Sequence, residues 1–242
     1  MKQGTFEITQ NRHLTDAILE MRLKGDTSAV TVPGQFVELA LPGFFLRRPI
    51  SVCDRNEAEL VLVYKTVGKG TEALSKMRTG DLDLLTGLGN GYDVSASGKE
   101  PLLIGGGVGI PPLYLLAKEL LQEGKRVQVI LGFNKEEEIF YEKEFKDLGC
   151  EVHLTTVDGS KGVKGFVTDA MTDLEYTYFY SCGPLPMLRA VFKQSKTSGQ
   201  FSLEERMGCG FGACMGCSIQ TAEGTKRVCR EGPVFRKEEL PW

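Results

Sequence analysis

The apolar periodicity of this chain changes once, near Ser97-Gly98-Lys99, and that change governs what it can fold into. Before it come six short runs, FEITQNRHL, AILEMRL, QFVELAL, PISVCD, ELVLVYK and LDLLTGL, separated by Gly, Pro, Asn or Asp. Strands of that length broken by turn residues predict an antiparallel sheet, and six of them with one helical patch predict a small barrel. The patch, at about residues 71–77, is expected to open with Thr71 as N-cap and Glu72 in the first turn, where the helix dipole favours negative charge. After the change, strand and helix alternate. PLLIGGG leads into PPLYLLAKELLQEG, a helix opened by proline and closed by Gly124. VQVILGF precedes a charged helix around residues 135–148, EVHLTTV a helix near 167–172, and YTYFYSCG the helix PLPMLRAVFKQSK. That alternation predicts a parallel α/β domain. The expected organisation is a β-barrel over 1–97, an α/β domain over 98–200 and a small segment over 201–242, and a length of 242 residues accommodates it.

The last segment carries the most specific motif. Cys209, Cys214, Cys217 and Cys229 are spaced C-x4-C-x2-C-x11-C. Three close thiols and a distant fourth is the spacing that holds a [2Fe–2S] cluster in plant-type ferredoxins. The loop GCGFGACMGC is crowded with glycine, which lets backbone wrap closely and aim N–H groups at sulfur. Zinc and unliganded thiols are the alternatives. Structural zinc draws on two short ligand pairs, whereas Cys229 stands alone with no histidine nearby. Of the remaining cysteines, Cys53 and Cys150 are expected to be buried and inert.

Two loops of the α/β domain have the form of nucleotide sites. Gly105, Gly107 and Gly109 lie in a glycine run between a strand and a helix, where a pyrophosphate can approach backbone and helix dipole. Cys182, Gly183 and Pro184 follow a later strand and should emerge on the same edge. In the barrel, Arg48, Pro49, Ile50 and Ser51 set a guanidinium beside a stiff extended segment and a hydroxyl, suited to a diphosphate and a flavin edge. Val63, Tyr64 and Lys65, with an aromatic able to stack, run toward Gly70 and Thr71 at a helix start, a second anion site. Arg47 reads as a solvated charge. The alternatives are a tight packing turn for the glycine run, strand punctuation for CGP and ordinary strand filling for Tyr64.

Composition excludes several classes. A net charge of -3 without a basic tract gives no electrostatic case for nucleic acid. The uncharged run 101–117 is shorter than a membrane span and holds four glycines and three prolines. Seven cysteines with no signal peptide point to a reducing, cytoplasmic setting. His13 and His153 are isolated, and no catalytic triad or carboxylate pair is present, so the chemistry is expected to reside in cofactors.

The order R-P-x-S, Y-K-x-x-G-K-G-T, G-G-G-V-G-x-P-P-L and C-G-P resembles the ferredoxin-reductase family of flavoproteins. The tail E-R-M-G-C-G-F-G-A-C-M-G-C, followed by K-R-V-C-R-E-G-P-V-F, is similar to the electron-transfer subunits of class 1B dihydroorotate dehydrogenases, and the match spans essentially the whole chain. That resemblance implies FAD at Arg48, Pro49, Ile50, Ser51, Val63, Tyr64, Lys65, Gly70 and Thr71. It implies NAD at Gly105, Gly107, Gly109, Cys182, Gly183 and Pro184, and a cluster on Cys209, Cys214, Cys217 and Cys229. It further implies a role in pyrimidine biosynthesis and an FMN-containing catalytic partner, two copies of each chain forming a heterotetramer. The nearest alternative is an NADH-dependent reductase feeding an oxygenase or a ferredoxin. From another class, a zinc-stapled nucleotide-binding regulator is the rival.

Overall fold

The computed structural model describes residues 1–242. Six strands, β1 (Lys2–His13), β2 (Ile18–Lys24), β3 (Phe36–Leu39), β4 (Arg48–Arg55), β5 (Glu59–Lys65) and β6 (Asp81–Leu88), close an antiparallel barrel in the order β1-β2-β5-β4-β3-β6. Alternation along each strand divides its side chains between two cores. On β5, Leu60, Leu62 and Tyr64 fill the barrel, while Val61 and Val63 face out into a second core.

Between β5 and β6 lies α1 (Lys69–Lys76). It begins two residues before Thr71, so Thr71 is its third residue and not its N-cap. The hydroxyl still serves the helix start, accepting from the backbone N–H groups of Val67 at 2.9 Å and Gly68 at 3.2 Å.

The α/β domain follows as β7 (Pro101–Gly106), α2 (Pro112–Gln122), β8 (Gln128–Phe133), α3 (Glu142–Leu148), β9 (Glu151–Thr156), β10 (Val163–Lys164), α4 (Val167–Met171), β11 (Tyr178–Cys182), α5 (Leu185–Gln194) and β12 (Gly199–Ser202). The helix expected over 135–148 is split into a 3-10 turn at Glu136–Glu138 and α3. A continuous helix would aim residues 140 and 141 about 100° apart. Breaking it at Tyr141, where φ is 66°, lets both Phe140 and Tyr141 bury their rings in one core.

The C-terminal segment is not independent of this sheet. It forms a hairpin of β13 (Ser218–Thr221) and β14 (Gly224–Arg227), then returns as β15 (Val234–Arg236). β15 pairs antiparallel with β12, giving one sheet of order β10-β9-β8-β7-β11-β12-β15. β12 itself runs to Ser202, past the expected boundary at 200.

Barrel and α/β domain share a hydrophobic core in which Ile18, Cys53, Val61 and Val63 meet Leu103, Ile110 and Leu113. Behind it, the Lys118 ammonium on α2 donates to both Asp54 carboxylate oxygens on β4, at 2.7 and 2.9 Å. No helix is long and apolar enough to cross a membrane.

A flavin and nucleotide cleft beside a four-thiol loop

A cleft of about 1060 Å³ lies between the barrel and the α/β domain. Arg48, Pro49, Ile50, Ser51, Val63, Tyr64, Lys65 and Thr71 line its barrel side. Gly107, Gly109, Cys182, Gly183 and Pro184 line the other. Gly70 and Gly105 do not reach the surface of the cleft, and packing explains both positions. A Cβ on Gly105 would stand 2.7 Å from Ile110 Cγ1, beneath the glycine turn. A Cβ on Gly70 would collide with the Arg48 guanidinium, so Gly70 is what allows Arg48 to lie across the start of α1.

That arrangement has the chemistry of an anion site. The N–H groups of Lys69, Gly70 and Thr71 open α1 with no carbonyl one turn earlier to accept them. Arg48 adds a positive charge beside them, its guanidinium stacked 4.9 Å from the centre of the Phe44 ring. A diphosphate fits these donors. Arg47, by contrast, is not a free surface charge. It donates to the carbonyls of Glu38 at 3.3 Å and Asp83 at 3.0 Å and pairs with the Asp83 carboxylate.

Tyr64 offers the cleft only its backbone. Its ring is 1% exposed inside the barrel, and its hydroxyl donates to Asn11 Oδ1 at 3.0 Å. Across the cleft, a Cβ on Gly109 would run into the Cys182 carbonyl, so the glycine turn and the CGP loop touch through their backbones. A nucleotide laid on one meets the other. Burial pushes the Cys182 thiol up to about 12, opposed by the Ser202 side chain, so it is a neutral thiol at pH 7.

Four residues along the cleft were not legible in the motifs. Thr155, at the end of β9, is buried with an unpartnered hydroxyl and lines the α/β half. Glu204, two residues beyond β12, joins Ser51 and Cys182 in the lining. The 3-10 turn contributes Glu137 and Glu138, the latter accepting from the Asn134 N–H and side-chain amide at the tip of β8. The only signal in the sequence was their place at or soon after the end of a strand.

In the C-terminal loop the four cysteines pair two and two. Cys209 and Cys214 are in side-chain contact near the surface, and Cys217 and Cys229 are in contact in the interior. No three acidic, histidine or cysteine side chains surround one point closely enough for a single ion. Two pairs suit two irons that each take two thiolates. Backbone amides already point at sulfur: Ala213 N–H lies 3.2 Å from Cys209 Sγ, Gly216 N–H 3.4 Å from Cys214 Sγ, and Cys229 N–H 3.4 Å from Cys217 Sγ. Burial opposes ionisation of Cys209, but the N–H groups of Cys214, Phe211 and Ala213 outweigh it and bring the thiol down to about 6. Burial pushes Cys229 up to about 12. The loop turns at Gly210 and Gly212, with φ of 76° and 94°, which a side chain would strain.

This loop rests on the barrel. Glu38 on β3 lies beneath it, 1% exposed, with neither carboxylate oxygen partnered and Gly210 packed against it. Burial pushes Glu38 up to about 7, against the pull of Arg47. Its neighbour across the ladder is Pro49, so cluster loop and flavin strand are separated by one strand of the barrel.

The barrel, the nucleotide sheet and the cleft between them define a flavin- and nicotinamide-linked reductase with an appended iron–sulfur segment. Residues 103–193 match the oxidoreductase NAD-binding domain, and residues 204–241 match the iron-sulfur cluster binding domain of dihydroorotate dehydrogenase B. The chain is 42% identical over 255 aligned positions to the dihydroorotate dehydrogenase B (NAD(+)) electron transfer subunit of Geobacillus sp. (strain WCH70), covering 99% of each chain. It is 40% identical to the subunit of that name from Fusobacterium nucleatum, again covering 99% of each. Among solved structures, that of an NADH-dependent reduced ferredoxin-NADP oxidoreductase superposes with a TM-score of 0.89 at 31% identity, covering 98% of this chain and 90% of that one. The ferredoxin NADP+ reductase of Neisseria gonorrhoeae, solved with FAD and NADP, shares the fold at a TM-score of 0.69 and 20% identity, covering 80% and 90%.

The chain belongs to the family of electron transfer subunits of dihydroorotate dehydrogenase B. It is an oxidoreductase subunit of pyrimidine biosynthesis with FAD, a [2Fe–2S] cluster and NAD as its cofactors, and it works with a catalytic dihydroorotate dehydrogenase partner.

Proposed function

We propose that this subunit takes electrons from an FMN-bearing catalytic subunit at its cluster loop and delivers them to NAD in the interdomain cleft, as a cytoplasmic heterotetramer of two chains of each kind. The observation that carries the reading is the contact of Glu38 with Gly210, which seats the four-thiol loop on the barrel one strand from Arg48–Ser51. On its outer side the same loop presents Phe211 and Met215, 42% and 53% exposed, an apolar rim suited to a protein partner.

Arg48 and the opening N–H groups of α1 would hold the FAD diphosphate, with Pro49, Ile50 and Ser51 fixing the flavin edge through an extended segment paired to β3. Gly70 would act through Arg48. Gly107, Gly109 and the loop Cys182–Gly183–Pro184 would hold NAD, with Gly105 beneath them as packing. When bound, FAD exchanges two electrons with the nicotinamide and single electrons with the cluster. The protein's part would be to set the spacing, shield the cleft and present Cys182 in its lining as a neutral thiol.

The test is reconstitution with the catalytic partner. The wild-type complex should reduce NAD with dihydroorotate. A Cys217→Ser complex should lose that coupling, while the subunit alone still reduces an artificial dye with NADH. Dihydroorotate-dependent NAD reduction at the wild-type rate in the Cys217→Ser complex would show that the cluster is not the wire.

A further inference from the structure

Tyr141 belongs to the α/β domain by its backbone and to the barrel by its side chain. It is one of two residues other than glycine with positive φ, the other being Met215 in the cluster loop. That conformation is disfavoured for a side chain of this size and persists where surrounding contacts hold it. The contacts are specific. The hydroxyl donates to Glu20 Oε2 on β2 at 3.0 Å, and the Cys53 thiol on β4 donates to the hydroxyl at 3.3 Å. Glu20 is buried, and its other oxygen is taken by Arg12 at 3.0 Å and Arg22 at 3.3 Å. The carboxylate is therefore compensated on one oxygen and free to hold the tyrosine with the other, a charge-assisted bond. The ring stands edge-on to Tyr114 of α2 at 5.2 Å and to Phe140 at 6.0 Å.

Phenylalanine would fill the same space. What the hydroxyl adds is two hydrogen bonds across the domain boundary, one to Glu20 and one from Cys53, placed where the preceding residues form the wall of the cleft. Phe133, Asn134, Glu137, Glu138 and Phe140 line its α/β half. We propose that Tyr141 is a positioning residue for the nicotinamide nucleotide, anchoring the wall at 133–140 to barrel strand β2 and so fixing the distance between nucleotide and flavin. This rests on the reading of the α/β half as the nucleotide site.

The experiment uses the FAD- and cluster-loaded chain, with NADH titrated against flavin reduction in rapid mixing. Tyr141→Phe should raise the NADH dissociation constant five- to tenfold. Its flavin content, cluster absorbance and rate of reduction by dithionite should match wild type. Tyr114→Phe, in the same aromatic cluster but outside the lock, should bind NADH as wild type does. Tyr141→Phe within twofold of wild type would overturn the proposal, and so would an equal loss in Tyr114→Phe, which would make the effect one of packing. Gly109→Val in the same titration separates the two readings: if it binds NADH normally, the placement of the nucleotide is at fault and not the anchor.

Discussion

Asn90 and Val234 exchange hydrogen bonds as two strands would: the Asn90 side-chain amide donates to the Val234 carbonyl at 2.7 Å, and the Val234 N–H donates to Asn90 Oδ1 at 3.1 Å. The same amide reaches the Glu231 carbonyl at 2.9 Å. A loop just beyond β6 of the barrel thus holds the chain as it returns from the last cluster ligand, Cys229.

Asn90→Ala leaves these partly buried backbone groups without partners and should cost about 1–3 kcal/mol of stability. Iron should also be released faster to a chelator. Denaturant midpoints and timed iron release check both, and an unmoved midpoint would mean that water replaces the side chain.

Arg48→Ala should weaken FAD ten- to hundredfold while iron content stays constant, because a charge-assisted contact to a diphosphate contributes about 1.5–3 kcal/mol. Titration of the deflavinated chain with FAD measures it. An affinity within twofold of wild type would leave the α1 N–H groups as the sole diphosphate site.

Glu142 opens α3 and accepts from Lys146 at 2.6 Å and Lys161 at 2.8 Å, and these bonds hold its carboxyl below the usual value of 4.5. A depressed carboxylate contributes stability above its unfolded pKa and loses it as pH falls through that value toward the folded one. Stability should therefore decline below about pH 4.5 by a component of at most about 1 kcal/mol, since the pair is near the surface. Glu142→Gln should flatten that component and leave the neutral range little changed. Denaturation at a series of pH values, wild type against variant, reads the difference.

What the sequence made legible followed from contiguity. The four cysteines, the glycine turn and the R-P-x-S segment each fit within a short window, so spacing alone exposed their chemistry, and the alternation of strand and helix exposed the α/β sheet. Thr71 looks like a cap in the sequence, yet it acts from inside the helix, where its hydroxyl serves two N–H groups behind it. The break at Tyr141 was hidden, since local propensity in 135–148 is helical and the contacts that explain the turn come from far away in the chain, the Glu20 carboxylate 121 positions earlier among them. Glu38 and Asn90 were invisible for the same reason: each matters through a partner that folding brings from the far end of the polypeptide.

The four-thiol loop leaves the nucleotide sheet at β12 and re-enters it at β15, two strands that lie side by side. Both ends of the excursion are therefore clamped, and the loop has no tether on which to swing. A carrier module on a flexible linker must diffuse between donor and acceptor, and thickening the solvent slows it. Here both ends of the loop are fixed in the sheet and its face rests on the barrel, so internal electron passage should be indifferent to added glycerol or sucrose.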